Sequence, residues 1–438
     1  MIFLNTRWTT YLSALGKPFQ KLSRLEFLQP DGSTAFALDN RFKRGYNNRF
    51  DSRAFLADGS LSVNLQNGKR RCASVTLSNL DGNFDFAVNR LWFGNRVRLS
   101  MGIVLPDGTD FYLPQGVFYL SEPSALWNPS AKTVSFELVD KWSYLDGTLF
   151  GTLDSALVLS KTKNDDNVFR AIEKILKFSK FDLAVTETDP ARMIDPQNPV
   201  FSTYYNGKTY TVSTGETIPV TAFPWDVTID SENGTLADAI LEMNTFVVGI
   251  CGYDQTGTFR IEPSQEFISD TQKPILFHFS PENSELLGFS ENFKIGDVYN
   301  DVIIVGEGVD GKSVFGRASN FDPKSDTNIN LIGKKTHKER RAEFWNPTQC
   351  EDIAKYTLKT KTVLQKSISI RSSQMFHLAE NSLISVKRTD KKGNPIEKHI
   401  ISSISIPIGE TGEMTINATS VNDISDFSVS SSKGGGTP

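Results

Sequence analysis

Between Asp107 and Asp146 the chain reads DGTDFYLPQGVFYLSEPSALWNPSAKTVSFELVDKWSYLD, and this passage restricts the fold more than any other. Two strand-like runs, Phe111–Leu120 and Lys132–Val139, flank a turn-rich loop. Val134, Phe136 and Leu138 alternate with polar neighbours, the period-two mark of a strand with one buried face. Asp140-Lys141-Trp142 then changes the period and places Trp142 and Leu145 on one side of a helical turn. Such a passage builds a compact β-module.

The same texture extends from Lys21 to about Thr148. Strands are expected at Leu22–Leu28, Ser60–Leu65, Ala73–Leu77, Val97–Val104, Phe111–Leu120 and Lys132–Val139. The turn pairs Asp31-Gly32, Asp58-Gly59, Asn67-Gly68, Asp81-Gly82 and Asp107-Gly108 punctuate them, which favours a hairpin-rich barrel or sandwich. The 31 Phe against 6 Trp and 11 Tyr suit β-modules with aromatic interiors.

Past Gly147 the pattern changes. Asp165–Ser179 sets Val168, Ile172, Ile175 and Leu176 on one helical face. A Pro-, Asp- and Thr-rich excursion, Thr186–Pro224, contains a short strand at Lys208–Ser213. Thr235 caps a second helix, Thr235–Val248, with Asp238 three positions on. The hairpin Gly249–Tyr253 with Thr258–Pro263 follows. β-text returns at about Lys294 with the apolar run Asp301–Gly306. Asn346 caps a helix over Pro347–Leu364, with Pro347 at its first position. Strands are then expected at Ser367–Arg371, Ser382–Arg388 and His399–Ile408. A last hairpin sets Ile404, Ile406 and Ile408 against Met414, Ile416 and Ala418.

These segments give an α+β, mainly β chain. The expected divisions are an N-terminal arm at 1–18, a first β-barrel domain at 19–148 and a mixed α/β middle domain at 149–292. A second β-barrel domain with one helix follows at 293–419, then a Ser/Gly-rich disordered tail at 420–438. The two β-rich regions read as two versions of one barrel. With 438 residues, about two to four domains are expected.

Charge and cysteine content exclude several classes. A net charge of −4 announces neither a nucleic-acid nor a membrane-surface binder. Cys72, Cys251 and Cys350 stand far apart, so a disulfide framework is not expected. The start MIFLNTRWTTYLSALGK has neither a basic leader nor an apolar core, so no signal peptide is expected. No run approaches the roughly 18 apolar residues of a membrane helix, and the chain is expected to be soluble, without stable membrane association.

Chemistry is sparse. His278, His337, His377 and His399 stand singly, and the cysteines read as structural. Acidic pairs such as Asp165/Asp166 and Glu351/Asp352 arise by chance among 51 acidic residues. Gly306–Ser313 (GEGVDGKS) fits a phosphate-binding loop by letter and follows a strand. That loop needs a helix starting at its lysine. Val314–Pro323 (VFGRASNFDP) has no apolar helical face, so a hairpin turn is expected instead. The densest basic run, Lys334, Lys335, Lys338, Arg340 and Arg341 around His337, reads as a solvated loop or subunit-contact patch. No catalytic, cofactor-binding or metal-ligating residue is assigned, and no enzyme activity or cofactor is expected. One reading of the residues is a carbohydrate-binding or carbohydrate-cleaving adhesin, with Trp127, Trp225 and Trp345 lining a sugar cleft.

Four passages resemble one family. They are Ser60–Phe86, with its TLSNLDG phrase, and Val97–Leu145, with GVFYL and DKWSYL. The others are Leu236–Pro263, ending GYDQTGTFRIEP, and Tyr299–Gly306 (YNDVIIVG) with the helix and strands after it. In this order they resemble the baseplate hub, or tail-tip protein, of phage tails. That fold is shared with the N-terminal part of tail-associated lysins and with type VI secretion spikes. The resemblance implies a homotrimer whose two barrels per subunit form a pseudo-sixfold ring around a genome-ejection channel. Implied partners are the tail tube or distal tail protein, the end of the tape-measure protein, and a spike or receptor-binding fibre. DNA would meet it only in transit, and the protein would sit at the virion tail tip after assembly in the host cytoplasm. Many relatives continue into a receptor-binding, peptidase or lysozyme domain where this chain has its Ser/Gly tail, and Thr186–Pro224 matches no part of the family.

Overall fold

Alternating patterns become strands where the sequence places them, and the strands run longer than their apolar cores. The computed structural model describes residues 6–15, 17–29, 32–40, 56–79, 82, 84, 96–128, 131–161, 167–178, 209–211, 215–219, 221–230, 232, 234–247, 249–263, 274–294, 298–362, 365–409, 412–421 and 427–431. The chain opens with α1 (Thr6–Ala14) and then β1 (Lys21–Leu28), β2 (Thr34–Asp39), β3 (Leu56–Asn64) and β4 (Arg71–Ser78). Next come β5 (Arg96–Val104), β6 (Asp110–Asn128), β7 (Ala131–Asp140) and a 3₁₀ turn at Lys141–Tyr144. The middle region holds β8 (Leu157–Leu159), α2 (Val168–Phe178), β9 (Thr209–Thr211), β10 (Thr217–Pro219) and β11 (Val227–Ile229). It ends with α3 (Leu236–Thr245), β12 (Gly249–Tyr253) and β13 (Phe259–Pro263). After it lie β14 (Phe277–Phe279), β15 (Leu286–Lys294), β16 (Asp301–Glu307), β17 (Ser313–Asn320), α4 (Ile329–Ile332) and β18 (Thr336–Arg340). Finally come α5 (Pro347–Lys361), β19 (Gln365–Ser372), β20 (Leu383–Lys387), β21 (Ile396–Pro407), β22 (Met414–Ser420) and β23 (Phe427–Ser431).

Strands from both ends of the chain share one 13-stranded sheet. One unit runs β3-β4-β7-β6-β5-β1, with β2 beyond β1; the other runs β15-β19-β22-β21-β20-β14. In chain order the two sequences of neighbours are the same, so the second unit repeats the first. The repeat extends to register. Tyr119 of β6 opposes Arg96 and Val139, and Ile400 of β21 opposes Leu383 and Thr419 in the same way. Cys72 opposes Val139 as Ser367 opposes Thr419. Register shifts fall at matching points too, Leu56/Asp58 in β3 and Leu286/Gly288 in β15, Ser121/Ser124 in β6 and Ile401/Ser403 in β21. One strand breaks the match: β1 is antiparallel to β5, whereas β14 is parallel to β20.

The units meet where β21 outlasts β20. Ser403–Pro407 pairs antiparallel with Ser60–Asn64 of β3, setting Ile404 opposite Val63 and Ile406 opposite Leu61. These four side chains are buried in one apolar core that spans both units and includes Val75, Phe136, Leu138, Ile370 and Ile416. The first unit curls until β1 reaches this junction. Ser23 Oγ donates to Ile408 O (2.9 Å) and Lys21 Nζ donates to Pro407 O. Side chains, not a backbone ladder, make that closing contact.

The segment expected as an arm contains α1, held against the core by Tyr11, which is fully buried. Its weak periodicity hides this, because a few aromatic anchors fix the helix. The predicted tail contributes β23, paired antiparallel with β17. Backbone hydrogen bonds order that strand where its composition supplies little apolar area. Most of the Thr186–Pro224 excursion lies outside the described residues, and β9 and β10 form a two-stranded sheet within it.

A second core holds the middle region. Val168, Ile172, Ile175 and Leu176 of α2 face Leu236, Ala239, Ile240 and Met243 of α3, as the helical spacing predicts. Thr235 forms the capping box with Asp238: Asp238 N donates to Thr235 Oγ1 (3.1 Å) and Thr235 N to Asp238 Oδ2 (2.9 Å). A third core lies under α5, which covers the four-stranded sheet β18-β16-β17-β23. Helix and sheet approach closely at Gly316, where a Cβ would sit 2.2 Å from Glu351 N. Asn346 and Pro347 start α5 as read, with Gln349 N donating to Asn346 Oδ1 (2.7 Å).

Candidate assembly interface

The motifs that most resemble chemistry resolve into scaffolding. Gly306–Ser313 is the turn between β16 and β17, closed by Gly308 N donating to Lys312 O (2.7 Å). Lys312 points to solvent and pairs with Asp310 (3.5 Å), and a strand rather than a helix follows it. Without the helix dipole and its free N–H groups this turn has no phosphate cradle. Within the basic run Lys338 and Arg340 lie on strand β18, at the edge of its sheet and parallel to β16, with Lys334, Lys335 and Arg341 flanking it. Charged side chains along an edge strand hinder unwanted strand addition. The sequence hid β18 because its exposed face carries charge and its other face is only half-buried.

Beside this strand Asp301 is fully buried and gathers its neighbours. Arg317 donates twice to its carboxylate (2.8 and 3.1 Å), and Ser319 (2.6 Å) and Thr336 (2.7 Å) add one bond each. Burial opposes ionisation, but these hydrogen bonds outweigh it and hold the carboxyl at about 2.

The histidines are dispersed. His278 lies 2.6 Å from Ser385 Oγ, His337 lies tilted against Tyr299, and His399 is buried with Glu397 at 3.8 Å. His377 Nδ1 lies 3.2 Å from Tyr11 Oη, which accepts Phe376 N–H (3.0 Å). Burial pushes His377 down to about 4 and keeps it neutral, so the pair serves as a latch for α1 among Trp8, Phe111 and Phe277. Burial raises the thiols of Cys251 to about 11 and Cys350 to about 12, which makes them poor nucleophiles. Among the described residues no group of His, Cys, Asp or Glu is placed to hold a metal ion. Trp345 is buried and donates Nε1–H to Ala222 O (3.0 Å), and Trp225 packs on Phe246. Both pack in the core of the middle region; the Trp127 side chain and Asp165/Asp166 lie outside the described residues. Glu351 and Asp352 sit on α5, where Asp352 pairs with Lys355 (3.8 Å).

What the fold presents outward is strand edge and isolated apolar surface. A polar joint locks the two units behind it. Arg70 (3.8 Å) and Arg71 of the first unit meet Glu380, which precedes β20, with all three side chains buried. Asp140 accepts the backbone N–H groups of Arg70 (2.8 Å), Arg71 (3.1 Å) and Trp142 (3.1 Å). Burial lifts its carboxyl to about 6 despite those bonds. On the far sheet, Asn300 donates to Thr327 O (3.0 Å) and Gly333 O (2.8 Å), and Thr327 Oγ1 donates to Thr362 O (2.6 Å). This rigid loop exposes Phe321, Leu331 (69 % accessible) and Ile332. A stiff polar frame under exposed apolar side chains suits a protein contact. Among the described residues, Leu126 near the end of β6 and Leu287 on β15, an end strand of the sheet, are exposed large apolar residues.

No protein-family model matches the sequence, and no curated protein matches it. Solved structures do. The tail protein from Neisseria meningitidis MC58 superposes over 92% of this chain and 97% of its own, with a TM-score of 0.54 at 9% identity. The chain has the tail-protein fold. The 43 kDa tail protein of prophage MuSo2 from Shewanella oneidensis matches at a TM-score of 0.49 and 9% identity, covering 91% of this chain and 98% of its own. Prophage tail protein gp18 from Listeria monocytogenes EGD-e gives 0.49 and 9%, covering 93% and 95%. The fold shared with the Neisseria meningitidis tail protein agrees with the phage-tail resemblance read from the sequence. At such identity the likeness is one of fold, and it accounts for why four loosely worded passages in the right order identify the architecture when no single motif does. The exposed edges were missed in sequence: Gly288 and the polar Ser290–Asn292 interrupt the apolar pattern of β15.

Proposed function

We propose that the chain is a structural, non-enzymatic protein of a phage tail tip, the baseplate hub. The observation that carries this reading is the duplicated six-stranded unit, with matching register, inside a tail-protein fold. Each unit supplies one barrel: 19–148 the first, 293–419 together with β14 and β15 the second, and the rest of 149–292 the mixed domain between them. A trimer then presents six similar barrels, which converts the sixfold symmetry of a tail tube to the threefold symmetry of a spike. The ring lines the channel for genome ejection, and DNA meets it only in transit. The tail tube or distal tail protein, the tape-measure end, and a spike or receptor-binding fibre are the partners, at the virion tail tip after assembly in the host cytoplasm. No observation favours the carbohydrate-binding alternative, since Trp225 and Trp345 are engaged in packing.

Light scattering of the purified protein across a concentration series tests the reading. It expects the mass of a trimer at the upper end of the series. A monomer at every concentration that also binds or cleaves cell-wall glycans overturns it.

A further inference from the structure

The four-stranded sheet ends at β18, and that edge has a chemistry of its own. Asp301 N donates to Lys335 O (3.2 Å) at one end of the strand, and Arg341 N donates to Val305 O (2.9 Å) at the other. In a parallel ladder alternate residues bond the neighbour, so the odd-numbered residues here serve β16. The backbone groups of Thr336, Lys338 and Arg340 therefore face away from the sheet, and among the described residues no strand takes them. Their side chains are exposed, whereas those of His337 and Glu339 are half-buried.

Charge along this edge is unbalanced. Lys334 pairs with Asp301 (3.4 Å) and Arg341 with Glu339 (2.6 Å). Among the described residues Lys335, Lys338 and Arg340 meet no acidic side chain. Leu331 and Ile332, both exposed, stand just before the strand. Lys335 N donates to Asn300 Oδ1 (2.7 Å), Asn328 Nδ2 to Asp322 O (2.7 Å) and Asn330 N to Asn328 Oδ1 (2.7 Å), which fixes their loop. A preorganised surface binds without the entropic cost of ordering itself.

We propose that β18 accepts an acidic segment of another protein as an added strand, with carboxylates on Lys338 and Arg340 and an aliphatic side chain on Leu331 and Ile332. Outward N–H and C=O groups supply the backbone bonds of such an addition. Cations on an edge deter most strands, and the same cations admit one whose acids neutralise them. Cross-strand pairs of opposite charge then fix its register. Leu331 and Ile332 are aliphatic and Glu339 stands among the cations, which favours a protein segment over a nucleic-acid backbone. The proposal goes beyond the hub reading and does not rest on a trimer.

A fluorescein-labelled peptide of alternating glutamate and valine, titrated with the full-length protein and read by fluorescence anisotropy, tests it. Saturable binding is expected, about tenfold weaker for each of Lys338→Glu, Arg340→Glu and Leu331→Ser. Lys312→Glu, an equal change of charge on the β16–β17 turn, should bind as the unmodified protein does. All four positions are exposed, so these variants keep the fold. Absence of binding overturns the proposal, as does an equal loss at Lys312→Glu or full binding by Leu331→Ser. Equally tight binding of a lysine–valine peptide also overturns it. Displacement of the acidic peptide by oligothymidine would assign the edge to a nucleic acid instead. A lower light-scattering mass for Lys338→Glu than for the unmodified protein would assign it to a second copy, again against the proposal. A trimer that does not bind the peptide overturns the proposal and leaves the hub reading standing.

Discussion

The first and second six-stranded units share strand order and register, and they differ at the strand that completes each and at the edge each leaves open. In the first unit β1 lies antiparallel to β5 and returns to the junction through Ser23 and Lys21. In the second, short β14 lies parallel to β20. The extension of β21 is satisfied inside the chain by β3, whereas the equivalent extension of β6 is not matched by any described strand. Among the described residues, then, the extension of β21 has strands on both sides and the extension of β6 has β7 on one.

Variants that strike one side of the comparison should separate its parts. The largest effect is expected from Glu380→Ala, which strands Arg70 and Arg71 without a counter-charge between the units. Loss of one partner of a buried ion pair costs about 3–5 kcal/mol, to be read as a lower urea midpoint with a single transition. Two transitions would show that the units are less coupled than their shared core suggests. Ile404→Ala, opposite Val63 at the junction, should lose about 3 kcal/mol from transfer and cavity terms. Tyr11→Phe leaves Phe376 N–H buried without its acceptor and should cost about 2 kcal/mol, with faster proteolysis near α1. Thr235→Ala removes a cap in the middle region, worth about 1 kcal/mol, and should leave amide exchange in both sheet units unchanged.

The four-stranded sheet should respond to acid in its own way. Folded Asp301 titrates at about 2, below the usual 3.8, so its ionised form stabilises the fold. That contribution is complete above the usual value and is lost as pH falls toward about 2. Asp301→Asn should therefore flatten the acid limb of the stability profile; an unchanged limb would contradict the role given to Arg317 and Thr336.

Much of the sheet was legible because its inward faces alternate, as in Val134, Phe136 and Leu138, and because its turns carry Asp-Gly pairs. The caps at Thr235 and Asn346 were legible for the same local reason, a side chain that satisfies nearby N–H groups. What escaped was set by tertiary context. β18 is a strand because β16 lies beside it, despite its lysines and arginines. Tyr11 anchors α1 through His377 and Phe376, over 360 residues away in the chain. Pairing partners such as β3 with β21 leave no mark in a single sequence, so the idea of two like barrels was available and the edge that joins them was not.

Electron cryomicroscopy of the purified trimer, averaged with only threefold symmetry imposed, tests the central claim most directly. The account predicts a ring of six similar lobes at equal radius, the two units alternating around it. Three lobes, or two kinds of lobe at different radii, would contradict it.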